Sequence, residues 1–515
     1  MEYPIGIQSF AEIRKRDCYY VDKTEFVWKL THTSKYYFLS RPRRFGKSLL
    51  LSTIEAYYRG RKDLFEGLKI SELEKDWEEY PVFHFDFNTV GSTGIDDLKY
   101  SIERQLGDIE RFWGVSSDPK FDPQNRFIEL IQKVSDQTGK NVVILVDEYD
   151  KPLLNVLEEE KLDEEYRKIL KPFYGVLKTM DSKIQFAMLT GVGRFGKLSI
   201  FSDLNNLRDI SLIPEYNAVC GITEKELYAV FADSIAALAE LMNESEEGIK
   251  RLLKNNYDGY HFGKPRLCED VYNPFSIINC FANGDISDFW FESGTPSSLI
   301  KRLIRRRFNF SAINGQAADE SSLLSGITPG DSSVGYLFQS GYLTIKDYLD
   351  RRRRYIVGFP NEEVERGFDT LSLKIYGQRK HSDFNIFKFE DDVFDGRPED
   401  FMKRLQAFTA DFPNDQIPDM EVHYHNIVYL LFKLLGFQTD TEYKTSDGRI
   451  DAVVKTDDYV YVFEFKLDHT AQEAIDQINS KDYPLPFEAD GRKLFKIGVS
   501  FSSKTKRIQE WIVDI

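Results

Sequence analysis

Cysteine is scarce in this chain. Four are spread over 515 residues, at Cys18, Cys220, Cys268 and Cys280, and none forms a CxxC pair. This excludes a disulfide framework and a cysteine-rich zinc site, and it fits reduced thiols. Long apolar runs are lacking as well: none reaches the roughly 18 residues that a membrane-spanning helix needs. No apolar segment of the kind found in secretory leaders follows Met1-Glu2-Tyr3-Pro4. A cytoplasmic location without membrane contact is therefore expected. Nor is there an excess of positive charge. The formal net charge of −16 excludes a chain that coats nucleic acid through bulk charge, but it leaves room for a local basic groove.

What is present is an ordinary globular balance, 42% hydrophobic and 30% charged, in a chain too long for one core, so several domains are expected. Residues 36–40 read as a short buried strand. Arg41-Pro42-Arg43-Arg44-Phe45-Gly46-Lys47-Ser48 follows, and then an apolar helical start at Leu49-Leu50-Leu51. Strand, loop, GKS and helix are the context of a phosphate-binding loop, in which backbone N–H groups and the helix dipole favour an anion. Arg43, Arg44, Phe45 and Gly46 would shape the loop. Lys47 would reach the β/γ-phosphates and Ser48 would hold Mg²⁺. Arg41 stands where the GxxxxGK[ST] pattern has its first glycine, so a basic turn that merely contains GKS is the competing reading.

Asn141 to Val146 is an apolar run that ends in Asp147-Glu148. Such a strand suits the centre of a parallel sheet, and acids at its C-terminal end lie where open α/β sheets bind ligands. Asp147 would hold Mg²⁺, and Glu148 would orient or deprotonate the attacking water. A third strand, 184–190, ends in Thr190-Gly191-Val192-Gly193-Arg194. Thr190 can sense the γ-phosphate. Arg194 can stabilise transition-state charge, in cis or from a neighbouring subunit of a homo-oligomer.

These stretches, together with Pro4–Phe10, Tyr20–Thr24, Tyr149–Leu153, Ile200–Leu207 and Tyr257–Phe262, resemble the AAA-ATPase-like family of bacterial proteins. The resemblance implies that the arginine-rich loop is the family's form of the Walker A motif. It also implies that Asp22, Lys23 and Thr24 contact the nucleotide or its loop. Residues 225–300 read as a helical lid, and 322–358 as a winged-helix-like module whose wing carries Arg351-Arg352-Arg353-Arg354. That wing would either touch nucleic-acid backbone or simply cap a hairpin as a solvated charge run. A mostly helical connector is expected over 360–415.

The last hundred residues carry a second chemistry. Ile427, Leu430, Leu431, Leu434 and Leu435 repeat at helical spacing, with Glu421 at the edge of their face. A strand holding Asp451 and a strand Tyr459–Lys466 follow. Alternation puts Glu464 and Lys466 on one face. Two carboxylates beside a lysine offer hard oxygen ligands for Mg²⁺, with Mn²⁺ as an alternative, and a cation to steady a scissile phosphate. Asp451…Glu464-Phe465-Lys466 resembles the PD-(D/E)xK nuclease superfamily. By that resemblance Glu421 matches the helix acid and Gln477 the following helix, while Ile450 replaces the proline of the motif.

The expected fold is α/β: a P-loop NTPase domain with a parallel sheet, a helical lid, a winged-helix-like middle region, and an α/β PD-(D/E)xK nuclease-like domain. The expected boundaries are 1–220 for the ATPase core, 221–300 for the lid, 301–415 for the winged region and connector, and 416–515 for the nuclease-like domain. Expected cofactors are ATP and Mg²⁺, and the expected partner is nucleic acid. Nucleotide-gated cleavage is the leading function. The alternative is a regulatory NTPase switch whose C-terminal domain binds nucleic acid or protein without cutting.

Overall fold

The computed structural model describes residues 1–515 apart from 92–93, 119, 157–158, 194–205, 294–299, 302, 305–307, 326–331, 378–386, 410–419, 435–437, 445–448, 489–490 and 506. The chain forms two compact units. One comprises residues 1–290 and 315–364, the other 291–314 and 365–515.

Five strands build the main sheet of the first unit: β1 (Tyr36–Ser40), β2 (Val82–Asp86), β3 (Val142–Asp147), β4 (Ile184–Gly191) and β5 (Arg208–Asp209). They are parallel and lie in the order β2-β3-β4-β1-β5. All six residues of β3 are buried, as a strand with both faces covered requires. Side chains alternate as the pleat dictates. Tyr36 and Phe38 enter a core with Phe83, Phe85 and the helical residues Ile102, Leu106 and Leu130, while Tyr37 meets Phe186 on the other face. The C-terminal ends of β1, β3 and β4 share one edge, which is where the phosphate-loop motif and the acids sit.

Helices Glu224–Val230, Ala232–Met242, Glu246–Tyr257 and Pro274–Asn283 follow, around a core of Leu227, Ile235, Leu253, Tyr257 and Ile277. Thr223 and Glu226 open the first with a capping box. The first two are separated at Phe231, whose backbone leaves helical geometry. Next, β6 (Gln316–Ala318), β7 (Thr344–Leu349) and β8 (Arg354–Gly358) form an antiparallel sheet in the order β6-β8-β7. Helices Glu320–Leu323 and Ser333–Gln339 lie between β6 and β7 in sequence, which is a winged-helix-like arrangement. At the wing tip Arg351, Arg352, Arg353 and Arg354 are exposed, and Arg353 turns the chain with φ 49°.

In the second unit, helices Glu362–Gly377, Phe387–Phe394 and Pro398–Thr409 occupy the stretch expected to be a helical connector. Helix Met420–Leu434 precedes β9 (Gln438–Lys444), β10 (Arg449–Lys455), β11 (Tyr459–Leu467), β12 (Lys493–Ser502) and β13 (Arg507–Asp514). Their order is β13-β12-β11-β10-β9. Only β11 and β12 run parallel among these neighbours, joined through helix Ala471–Ser480. That helix lies close on the sheet: a Cβ at Gly498 would stand 2.5 Å from the Ala471 carbonyl oxygen.

Asp258, which caps helix Glu246–Tyr257, is buried, and its Oδ1 has no hydrogen-bond partner. Burial pushes its carboxyl up to about 7, against the pull of the Gly259 backbone N–H. Between about pH 4 and pH 7 the folded state therefore holds a proton that the unfolded chain has lost, so stability falls as pH rises through that window. Asp258→Asn is expected to flatten that slope and to raise stability at pH 8 by about 2–4 kcal/mol. Denaturant unfolding of parent and variant at pH 5 and pH 8 measures it, and an equal slope in both would contradict the assignment.

Candidate active sites

The loop after β1 turns on two left-handed residues, Arg44 at φ 70° and Gly46 at φ 90°, and helix Lys47–Tyr58 begins immediately. Arg43 and Arg44 are exposed, and Ser48 is half-buried at the helix start. Lys47 is only 3% exposed. Its ammonium donates to the Arg41 and Pro42 carbonyl oxygens, each at 3.2 Å, and lies 3.5 Å from Glu148 Oε1.

The Arg41 side chain runs inward and is 1% exposed. Its guanidinium donates to the carbonyl oxygens of Ser40 (2.9 Å), Ser211 (2.8 Å) and Tyr216 (2.9 Å), and stacks on Phe262 at 4.1 Å. Burial lowers it to about 10, so it stays charged at neutral pH. The rest of the loop is gripped too. Phe45 meets Tyr260 and Phe262 edge-on, the Trp290 indole N–H donates to the Arg43 carbonyl (2.9 Å), and Pro42 abuts Gly341. Tyr257 and Tyr260 are therefore packing residues.

At the tip of β3, Asp147 Oδ1 accepts from the Thr190 hydroxyl (2.6 Å) and the Glu148 N–H (3.0 Å). Glu148 itself adopts φ 51°. Asp86 ends the adjacent strand in register with Asp147, and burial followed by the charge of Asp147 raises its carboxyl. Asp86 and Asp147 thus end adjacent strands at one sheet edge, with Glu148 and Asp150 just beyond and Glu148 facing Lys47. Arg194 lies outside the described residues.

Asp22, Lys23 and Thr24 lie in one hydrogen-bonded stretch. Asp22 accepts from the Lys69 N–H (2.8 Å) and the Thr24 hydroxyl (2.6 Å), and Lys23 pairs with Glu226 at 2.6 Å. Lys23 does line a largely apolar cavity of about 90 Å³ beside Gly46, with Tyr19, Tyr20, Leu49 and Cys220. No local periodicity in the sequence announces that cavity, because its walls come from distant segments.

In the second unit the β10–β11 register pairs Ala452 with Phe463, so Asp451 and Glu464 flank the same pair. The Phe465 N–H donates to Asp451 Oδ2 (2.8 Å). Glu464 is buried at the strand centre, with its side chain 3% exposed. Lys466 donates to Glu464 Oε1 (2.9 Å) and to Gln477 Oε1 (2.6 Å), and the Gln477 amide donates to the same Glu464 oxygen. Phe463 and Phe465 stack on each other, as alternation requires. Glu421 lies on helix Met420–Leu434, but its side chain, like those of His423 and His425, lies outside the described residues, as does the expected turn at Gly448. Among the described residues no cluster of three or more His, Cys, Asp or Glu is arranged to hold a metal. The Asp451 and Glu464 pair nevertheless offers the hard oxygen donors that a divalent cation takes.

Comparison with known proteins agrees with both halves. The family described as predicted AAA-ATPase matches residues 4–201, and the PD-(D/E)XK nuclease superfamily matches 419–511. A protein of Azotobacter chroococcum mcd 1, named "Uncharacterized protein in vnfD 5'region", is 36% identical over 99% of this chain and 98% of its own length. The chain belongs to this family of AAA-ATPase-like proteins with a C-terminal PD-(D/E)XK domain. Solved structures that match include Cdc6p from Pyrobaculum aerophilum, at 11% identity and TM-score 0.25 over 70% of this chain and 93% of that one. ORC2 from Aeropyrum pernix matches at 12% identity and TM-score 0.30 over 69% and 93%. In this AAA-ATPase-like chain no helix among the described residues is long and apolar enough to cross a membrane.

Arg41→Met in the family's loop would keep the apolar stem but orphan the Ser211 and Tyr216 carbonyl oxygens. It is expected to cost about 2–4 kcal/mol. Chemical denaturation measures the loss, and an unchanged midpoint would mean that the guanidinium does not hold the loop.

Proposed function

We propose that the N-terminal unit binds and hydrolyses ATP, and that its nucleotide state controls cleavage of nucleic acid by the C-terminal domain. The observation that carries the ATPase reading is Lys47. Its buried ammonium is held by two loop carbonyls and Glu148 at the edge where three parallel strands end. Polyphosphate oxygens are the natural replacement for those weak partners. The N–H groups of Gly46, Lys47 and Ser48 at the helix start suit the same anion. Arg43, Arg44 and Phe45 complete the loop. The apolar cavity beside Gly46 suits the base of the nucleotide.

In this reading Ser48 and Asp147 hold Mg²⁺, Glu148 orients or deprotonates the attacking water, and Thr190 and Arg194 face the γ-phosphate. At the second site Asp451, Glu464 and Glu421 hold Mg²⁺ or Mn²⁺, whose bound form would supply a Lewis acid and an activated water. Lys466 donates to the phosphate or the nucleophile, and Gln477 keeps Lys466 and Glu464 in place. The exposed arginines of the wing suit a phosphodiester backbone. A cytoplasmic, self-associating protein fits these roles.

Lys47→Ala is expected to weaken ATP binding at least about 100-fold, because its ammonium is the cation placed at the head of the helix. Glu148→Gln is expected to keep binding and lose about 10²–10³-fold in kcat. Calorimetric binding and phosphate release measure both, and parent-level hydrolysis by Lys47→Ala would refute the loop assignment.

Asp451→Ala and Lys466→Ala are each expected to abolish Mg²⁺- or Mn²⁺-dependent nicking of supercoiled plasmid while ATP hydrolysis persists. If the parent does not nick DNA or cleave single-stranded RNA under any nucleotide condition, the C-terminal domain binds without cutting.

A further inference from the structure

Asp150 is fully buried, one turn beyond the acids at the tip of β3. A buried carboxylate is costly unless its oxygens are engaged. One of them is engaged twice: Oδ2 accepts from the backbone N–H groups of Val192 (3.0 Å) and Gly193 (2.6 Å). The other, Oδ1, has no hydrogen-bond partner and lies against Gly191, where a Cβ would stand 2.5 Å from it.

The neighbours of Asp150 reach for the same segment. The Tyr149 hydroxyl donates to the Gly193 carbonyl (2.8 Å), and the Tyr149 N–H to the Thr190 carbonyl (3.0 Å). A Cβ on Gly191 would also stand 2.7 Å from the Tyr149 ring. Asp147 accepts from the Thr190 hydroxyl (2.6 Å). From the end of β1, the Ser40 hydroxyl donates to the Val192 carbonyl (2.5 Å). Residues 190–193 are therefore bound by the ends of both β1 and β3, and Asp150 takes two N–H groups that lie just beyond the end of β4.

We propose that Asp150 is a positioning residue for ATP hydrolysis: by gripping Val192 and Gly193 it fixes Thr190 and the β4 tip in register with Glu148. The inference rests on the ATPase reading and adds to it a residue outside the loop and the two terminal acids. Burial and then the charge of Glu148 push the Asp150 carboxyl up to about 7, while the Gly193 N–H and Lys47 oppose the rise.

The test uses the full chain, with ATP turnover, ATP binding and thermal unfolding measured on each variant. Asp150→Ala is expected to lose about 30-fold or more in kcat with ATP affinity changed less than about threefold. Asp150→Asn keeps an oxygen that can accept both N–H groups and is expected to restore most of the turnover. Gly191→Ala, which drives a methyl into Oδ1 and the Tyr149 ring that grip the same segment, is expected to reproduce the loss. Parent-rate turnover by folded Asp150→Ala, or an affinity loss matching the rate loss, would each overturn the inference. Should Asp150→Ala fail to fold, parent-rate turnover by Gly191→Ala overturns it instead. A parent chain that neither binds nor hydrolyses ATP would refute the ATPase reading itself, a result distinct from normal turnover by the Asp150 and Gly191 variants.

Discussion

The N-terminal site depends on the Arg41 guanidinium beneath the phosphate-loop motif. A glycine in its place would forfeit the side-chain ties to Ser211, Tyr216 and Phe262. Arginine instead reaches the carbonyls of Ser211 and Tyr216 and the face of Phe262, joining three segments distant in sequence. The cost of burying that charge is offset by carbonyl dipoles and the aromatic ring rather than by a carboxylate. Lys47 then finds the Arg41 and Pro42 carbonyls in place, with Glu148 opposite.

The parts of this arrangement written in local pattern were legible in the sequence. Tyr36–Ser40 and Val142–Asp147 are apolar runs of strand length that end in chemistry-bearing residues, and they form the strands expected of them. The face shared by Glu464 and Lys466 follows from period-two alternation, and their ion pair lies on it. What could not be read is set by contacts between distant segments. Nothing near Arg41 announces that its side chain turns inward, and nothing near Phe45 names Tyr260 and Phe262 as its neighbours. The Lys23–Glu226 pair, 203 residues apart in sequence, was unreadable for the same reason. Asp150 carried a local signal, a third acid in Asp147-Glu148-Tyr149-Asp150, but only the fold of β4 gives it partners.

The two sites handle their lysines alike. In each, an ammonium is parked on a glutamate at a strand, Lys47 against Glu148 and Lys466 against Glu464. A partly buried cation left alone would lose its proton or draw water. Each ammonium also has other oxygen partners, the Arg41 and Pro42 carbonyls for Lys47 and the Gln477 amide oxygen for Lys466. Gln477 touches both members of the pair in the C-terminal domain.

The aromatic grip on Phe45 has a thermodynamic consequence. Ordering a flexible glycine-rich segment around a ligand consumes part of the binding free energy, roughly 1–2 kcal/mol for each residue that must be fixed. Here Phe45 is wedged between two rings, Arg43 is held by an indole and Pro42 abuts Gly341, so much of that entropy was surrendered when the chain folded. The loop behaves as a preformed mould and not as a closing hand. On the ATPase reading, discrimination among anions would then fall to how well each fills that mould.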